Sequence, residues 1–287
     1  MMLLMMLLTT VTAWAETESV SYIDADGQEQ TVTATVLTGN ETVNSNNYIE
    51  LAAGWHVVKN SNPDGVDVSY TTKIRGSSSA SASTGTIHII LADNAEMTVN
   101  YSGDYAFNLG TGTDTGYALA IYGQSEGTGC LTVSSTSRAI IAPGGFTVNG
   151  GIVNATSTRS ESYDTDYAIH STGAVTINGG QVTATGGGNS EGIYSHDNIT
   201  LGCRKATDFI KSNGFNGTVI IKSGLTLYDG ASNYSGELTI VQRDAIAGKT
   251  LRPFSSDNLA FNNEGTEYTI KNATGWGVFC EARRWPG

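Results

Sequence analysis

The 287-residue chain is poor in basic residues: Lys plus Arg number 15 against 27 Asp plus Glu, for a net charge of −12. Charged residues make up only 15 %, against roughly 25 % in an average soluble domain. The acidity therefore reflects missing cations rather than crowded carboxylates. That balance argues against nucleic acid as a partner, because neutralising phosphates needs clustered Lys and Arg. It argues equally against docking on anionic lipid. Proline is scarce, with 4 residues, and so is cysteine, with 3 (Cys130, Cys203 and Cys280), far apart and without metal-ligand spacing. Neither a disulfide framework nor a bound metal is expected. No apolar run is long enough to span a membrane.

What is abundant is Gly, with 35 residues, together with Ser, Thr and Asn, and 39 % of the chain is apolar. That composition suits short strands joined by tight turns around a real core. The run Met1 to Val11 has the length of a signal-peptide core and is followed by Ala13-Trp14-Ala15, an A-x-A cleavage signature. Residues 1–15 are expected to be a signal peptide, and the mature chain to be secreted or held at the cell surface, with no membrane insertion after cleavage. No Lys or Arg precedes the run, which reads as a misplaced or truncated start.

The middle of the chain repeats itself. Residues 147–156 (TVNGGIVNAT) match residues 176–185 (TINGGQVTAT) at seven of ten positions, an offset of 29. A second offset, of 24, carries Ile169 to Ile193 and Val175-Thr176-Ile177 to Ile199-Thr200-Leu201. Looser copies place the first strand of each unit at Ile89, Leu119, Phe146, Val175, Ile199 and Val219, with Leu225-Thr226-Leu227 completing a last turn. Within a unit the alternation has period two, as a strand requires. Apolar positions hold their place while loop lengths vary, so equivalent side chains stack inside a parallel coil. An antiparallel sandwich is the alternative architecture, since regular hairpins also produce short alternating strands. The expected fold is all-β, a right-handed parallel β-helix over residues 61–235. A strand-rich cap precedes it over 16–60, where Asp26-Gly27 marks a hairpin. The segment Arg204 to Asn216 breaks the ladder and reads as a short helix on the solenoid side. Residues 236–287 form a C-terminal segment whose tail, Trp276 to Gly287, reads as frameshifted or truncated.

Several stretches together resemble a known family. They include residues 20–27 (VSYIDADG), 53–58 (AGWHVV), 89–93 (IILAD), 121–125 (IYGQS), 178–186 (NGGQVTATG) and 247–251 (AGKTL). The family is the adhesin-like right-handed β-helix proteins exported by bacteria, also described as carbohydrate-binding or pectin-lyase-like. The resemblance runs from about Ser19 to Phe254. It implies a surface or secreted location and glycan binding or adhesion, and it carries over no catalytic residues and no cofactor.

Outward positions on successive units hold Ile141, His170 and Tyr194, with Tyr163 and Tyr167 in the long loop beside them. Rings interleaved with acids and amides suit sugars, which offer apolar C–H faces and a fringe of hydroxyls. Tyr163, Tyr167, His170, Tyr194, His196 and Asp197 are therefore the candidate glycan-binding residues, and a glycan or host cell-surface polysaccharide the expected partner. The alternative is a polysaccharide lyase or glycoside hydrolase, which needs two facing carboxylates. Its best candidates are Asp164 and Asp166 with His170. The basic residues Arg138, Arg159 and Arg204 fall at different positions in their units, so they form no column against an acidic substrate.

Overall fold

A computed structural model describes residues 16–62, 65–77, 84–110, 116–160 and 165–254, plus the backbone of Leu259–Phe261 and Tyr268–Ile270. The proposed signal peptide, Cys280 and the Trp276 to Gly287 tail lie outside the described residues.

The chain is all-β and coils through long parallel sheets in a β-solenoid-like arrangement, with three strands per turn. One turn reads Arg138–Ile141, Phe146–Val148 and Ile152–Ser157; the next reads Ile169–Ser171, Val175–Ile177 and Gln181–Thr185. Each strand pairs in parallel with its counterpart one turn on. Call the face containing Phe146–Val148 the first, that of Ile152–Ser157 the second and that of Arg138–Ile141 the third. Parallel pairing runs on the third face from Tyr48–Leu51, on the first from Glu29–Leu37 and on the second from Val68–Tyr70. The coil thus begins inside the 16–60 stretch. Parallel neighbours exclude the antiparallel sandwich.

The register follows the repeat. Phe146 faces Val175, Val148 faces Ile177, Val153 faces Val182 and Ile140 faces Ile169. These side chains are 0 % exposed, in one continuous core. Burying each branched or aromatic side chain is worth about 1.5–3 kcal/mol, so equivalent apolar inward residues in each turn are what hold the turns together. The Asn-Gly-Gly corners have a backbone cause. Gly180 has φ +93°, and a Cβ there would sit 2.5 Å from the carbonyl oxygen of Gly151 in the turn before. Beside them the Asn178 amide donates to Asn149 Oδ1 at 2.8 Å, and Lys222 Nζ donates to Asn178 Oδ1 at 3.0 Å.

Three expectations need correction. The register places Ile87, not Ile89, opposite Leu119; the two-residue slip leaves every side chain on its own face. Arg204 to Asn216 contains no helix. Asp208 Oδ2 accepts from the Arg204 and Lys205 amides at 2.6 and 2.8 Å, closing a tight turn, and Phe209–Ser212 rejoins the second face. Leu227–Tyr228 is not a further parallel rung. It pairs antiparallel with Asn233–Tyr234 and Thr250–Pro253, and the latter strand closes the second face.

The N-terminal hairpin does more than meet the end of the coil. Thr17–Ile23 pairs antiparallel with Glu29–Leu37 around a turn in which Asp24 Oδ1 accepts from the amides of Asp26 and Gln28. Thr35–Leu37 then adds to His56–Val58, covering the first-face edge. The rest lies on the outside of that face: Val20, Ala34 and Val36 share a second buried cluster with Val57, Ile90, Ala120 and Tyr122. Its tip is fixed where the Arg204 guanidinium donates to the Asp24 and Asn149 carbonyls, and Gln124 Nε2 donates to Ser21 O at 3.1 Å.

Candidate functional site

Alternation on the third face sends Ile169 inward and His170 outward, and the same register puts Tyr194 beside His170 and Asn216 beside Tyr194. The His170 and Tyr194 rings stack at 4.9 Å and 3°, with Tyr167 at 4.5 Å and 23° from Tyr194. The first spacing is essentially the distance between neighbouring strands, so the stack is a consequence of the parallel register. His196 stands on edge, at 72° to Tyr194 and 75° to His170. It sits on the irregularity between Tyr194 and Asn198, where Ile193–Leu201 runs unbroken from the third face onto the first.

Four of the six candidate binding residues are therefore in ring contact. Tyr167 is 7 % exposed and mainly backs the others, whereas His196 is exposed. Near-parallel rings overlap one another, and Ile141 and Asn216 flank the column in register, so it offers ring edges rather than a broad platform. Asp197 lies beside the column, exposed, with its carboxylate accepting from the Asn198 amide at 2.8 Å and its own amide donating to Ser195 Oγ. Tyr163 and Asp164 lie outside the described residues.

Asp166 serves the loop instead of facing outward. It is 1 % exposed; Ser137 Oγ donates to its Oδ1 at 2.5 Å, Arg159 Nε lies 3.5 Å from Oδ2, and its amide donates to Ser190 Oγ. A carboxylate enclosed in this way cannot reach a sugar on the outer surface. Of the described residues considered for acid–base chemistry, Asp166 and His170, only His170 is placed on that surface. Two Gly-x-Ser-x-Gly stretches, at Gly123–Gly127 and Gly188–Gly192, lie in turns. Ser190 is buried against Asp166 and Ser125 is an exposed loop residue, so neither forms the strand-to-helix elbow that such a nucleophile requires. Among the described residues no three His, Cys, Asp or Glu side chains are grouped to hold a metal ion.

A second aromatic group escaped the sequence reading. Trp55 stacks on His88 at 4.2 Å and 16°, Tyr22 reaches Trp55 from the hairpin at 4.5 Å, and His88 Nδ1 lies 3.1 Å from the Tyr122 hydroxyl. Burial pushes the His88 pKa below its ordinary value, and neighbouring His56 pushes it the same way. Trp55 and His88 face each other in register. The signal was present as an outward aromatic in successive turns, but the slipped register at Ile89 concealed it.

No family model, curated protein or solved structure matches the chain.

Proposed function

We propose that the protein is an exported, non-catalytic, adhesin-like surface protein, built on a right-handed parallel β-helix, that binds carbohydrate through Tyr194, His170, His196 and Asp197. The hand follows from the strong preference of parallel crossovers for right-handed connection. Export rests on the apolar run ending in Ala13-Trp14-Ala15. The observation carrying the binding reading is the ring column at the outer end of the third face, bordered by exposed His196, Asp197 and Asn198. A sugar packs its C–H groups against the exposed His196 ring and exchanges hydrogen bonds with the imidazole, phenol and amide fringe. A shallow site of this kind binds weakly, so tight attachment to a polysaccharide comes from many copies acting together.

The test is affinity electrophoresis and calorimetry of the mature chain on soluble galactans, xylans, pectins and mucin glycans. Tyr194→Ala weakens binding about tenfold or more, the loss of one well-packed aromatic contact, and His196→Ala weakens it less. Absence of binding, or binding indifferent to both substitutions, overturns the reading.

A further inference from the structure

The first face carries a different kind of surface. Where the hairpin tip ends at Ala25, a cleft of about 410 Å³ opens over four successive turns, within the size range of small-ligand sites. Its depth comes from Ala118, Gly145 and Ala174, which occupy one rank in three consecutive turns and keep the floor low. Thr147 and Thr176 form the next rank, facing each other in register, and so present two hydroxyl groups about 4.8 Å apart.

The wall is rigid. Tyr122 and His88 line it, joined by their hydrogen bond and backed by Trp55 and the hairpin. Asn149 closes one side, with its amide oxygen held by Asn178. Among the described residues no Asp, Glu, Lys or Arg lines the cleft, although Asp24 and Asp26 flank Ala25 on the hairpin tip. A negatively charged ligand finds no cation there, and a positively charged one finds no carboxylate inside. From Thr86 to Thr176 the cleft crosses three strand spacings, about 14 Å along the coil. That shape suits an extended chain rather than a compact molecule.

We propose that this cleft is a second ligand site, separate from the ring column, and that it takes an uncharged, hydroxyl-rich chain: a segment of neutral polysaccharide lying along the coil axis. The Tyr122–His88 wall packs against sugar C–H faces while Thr147 and Thr176 meet the hydroxyl groups. Because the hairpin tip forms one wall, ligand in the cleft also holds the hairpin down.

The experiment titrates the mature full-length chain by calorimetry with neutral gluco-, xylo- and galacto-oligosaccharides, and with oligogalacturonate as the acidic counterpart. At least one neutral series saturates, and the acidic series binds about tenfold more weakly or not at all. Ala174→Trp, which fills the floor, abolishes neutral binding. The paired change Thr147→Val with Thr176→Val preserves the shape and lowers affinity about tenfold, as expected for two modest hydrogen bonds; it decides the matter should Ala174→Trp fail to fold. Tyr194→Ala leaves this binding unchanged, which separates it from the column. The proposal is overturned by silence across the neutral series, by oligogalacturonate binding as tightly as the neutral chains, or by neutral binding whose affinity is undiminished in the Thr147/Thr176 variant.

Discussion

Replacing Arg204 with Met tests whether the hairpin clasps the coil from end to end. Arg204 follows the long strand Ile193–Leu201 and is 8 % exposed, yet its guanidinium reaches the carbonyl of Asp24, 180 positions away in sequence, and that of Asn149. Hydrogen bonds from a charged donor contribute about 1.5–3 kcal/mol each, and taking the guanidinium out of water offsets part of that. Asp208, Asp24 and Asp26 compensate the buried charge. Methionine retains most of the stem packing but supplies no donor, so the net loss should be about 2–4 kcal/mol. It falls on the hairpin tip, because edge pairing by Thr35–Leu37 and the buried cluster around Tyr122 remain.

A stacked coil is ordinarily a sum of neighbour-to-neighbour terms; the Arg204 clasp adds a term linking its first turn to a distant one. The assay is urea unfolding in a Trp14→Phe, Trp276→Phe, Trp285→Phe background, which leaves Trp55 as the one tryptophan of the chain. Its fluorescence reports the hairpin cluster and far-UV circular dichroism reports the coil. With Arg204 present the two transitions coincide. In Arg204→Met the Trp55 transition moves ahead by about 1–2 M urea, given slopes near 1–3 kcal/mol/M. Superimposable transitions, with a stability change below about 0.5 kcal/mol, would refute the clasp.

Four other outcomes are expected. Gly180→Ala costs at least about 2 kcal/mol in urea unfolding, from its positive φ and the Gly151 carbonyl in its way, whereas Gly224→Ala, with φ +83° but nothing within 4 Å, costs about 1. Ile177→Ala, at an interior position 0 % exposed, costs about 2–5 kcal/mol, while Thr183→Ala on the outer second face stays within about 0.5. Asp166→Asn lowers stability by about 1–3 kcal/mol, and a double-mutant cycle with Ser137→Ala gives a non-additive pair. Burial holds the pKa values of His56 and His88 below their ordinary value. The unfolded chain therefore takes up protons first: stability is full above about pH 6.5 and falls as pH drops below it towards the folded values. His88→Phe keeps a ring on Trp55 and flattens that part of a stability-against-pH profile; an unchanged slope counts against the assignment.

The stacking of Phe146 on Val175 and of His170 on Tyr194 was legible because both come from one alignment of inward residues, and parallel pairing repeats that alignment on every face. The place of Ile87 was not, since a slip of two residues conserves the face pattern and only the pairing itself distinguishes the registers. The Lys205-Ala206-Thr207 stretch misled because nothing in its local pattern reveals that the Asp208 carboxylate binds back to two amides. The hairpin's position over the first face depends on contacts of Val20 and Ala34 with Ile90 and Tyr122, far away in sequence. It nevertheless leaves a trace in the outward positions. On the uncovered second face these include Thr132, Asn154 and Thr183, whereas under the hairpin they are Val57, Ile90, Ala120 and Tyr122. An apolar or aromatic residue pointing out of a coil thus means either a covering element or a ligand surface, and burial tells the two apart. Ile90, 0 % exposed beneath the hairpin, is covered; His196, edge-on to Tyr194 where the strand crosses between faces, is left open to solvent.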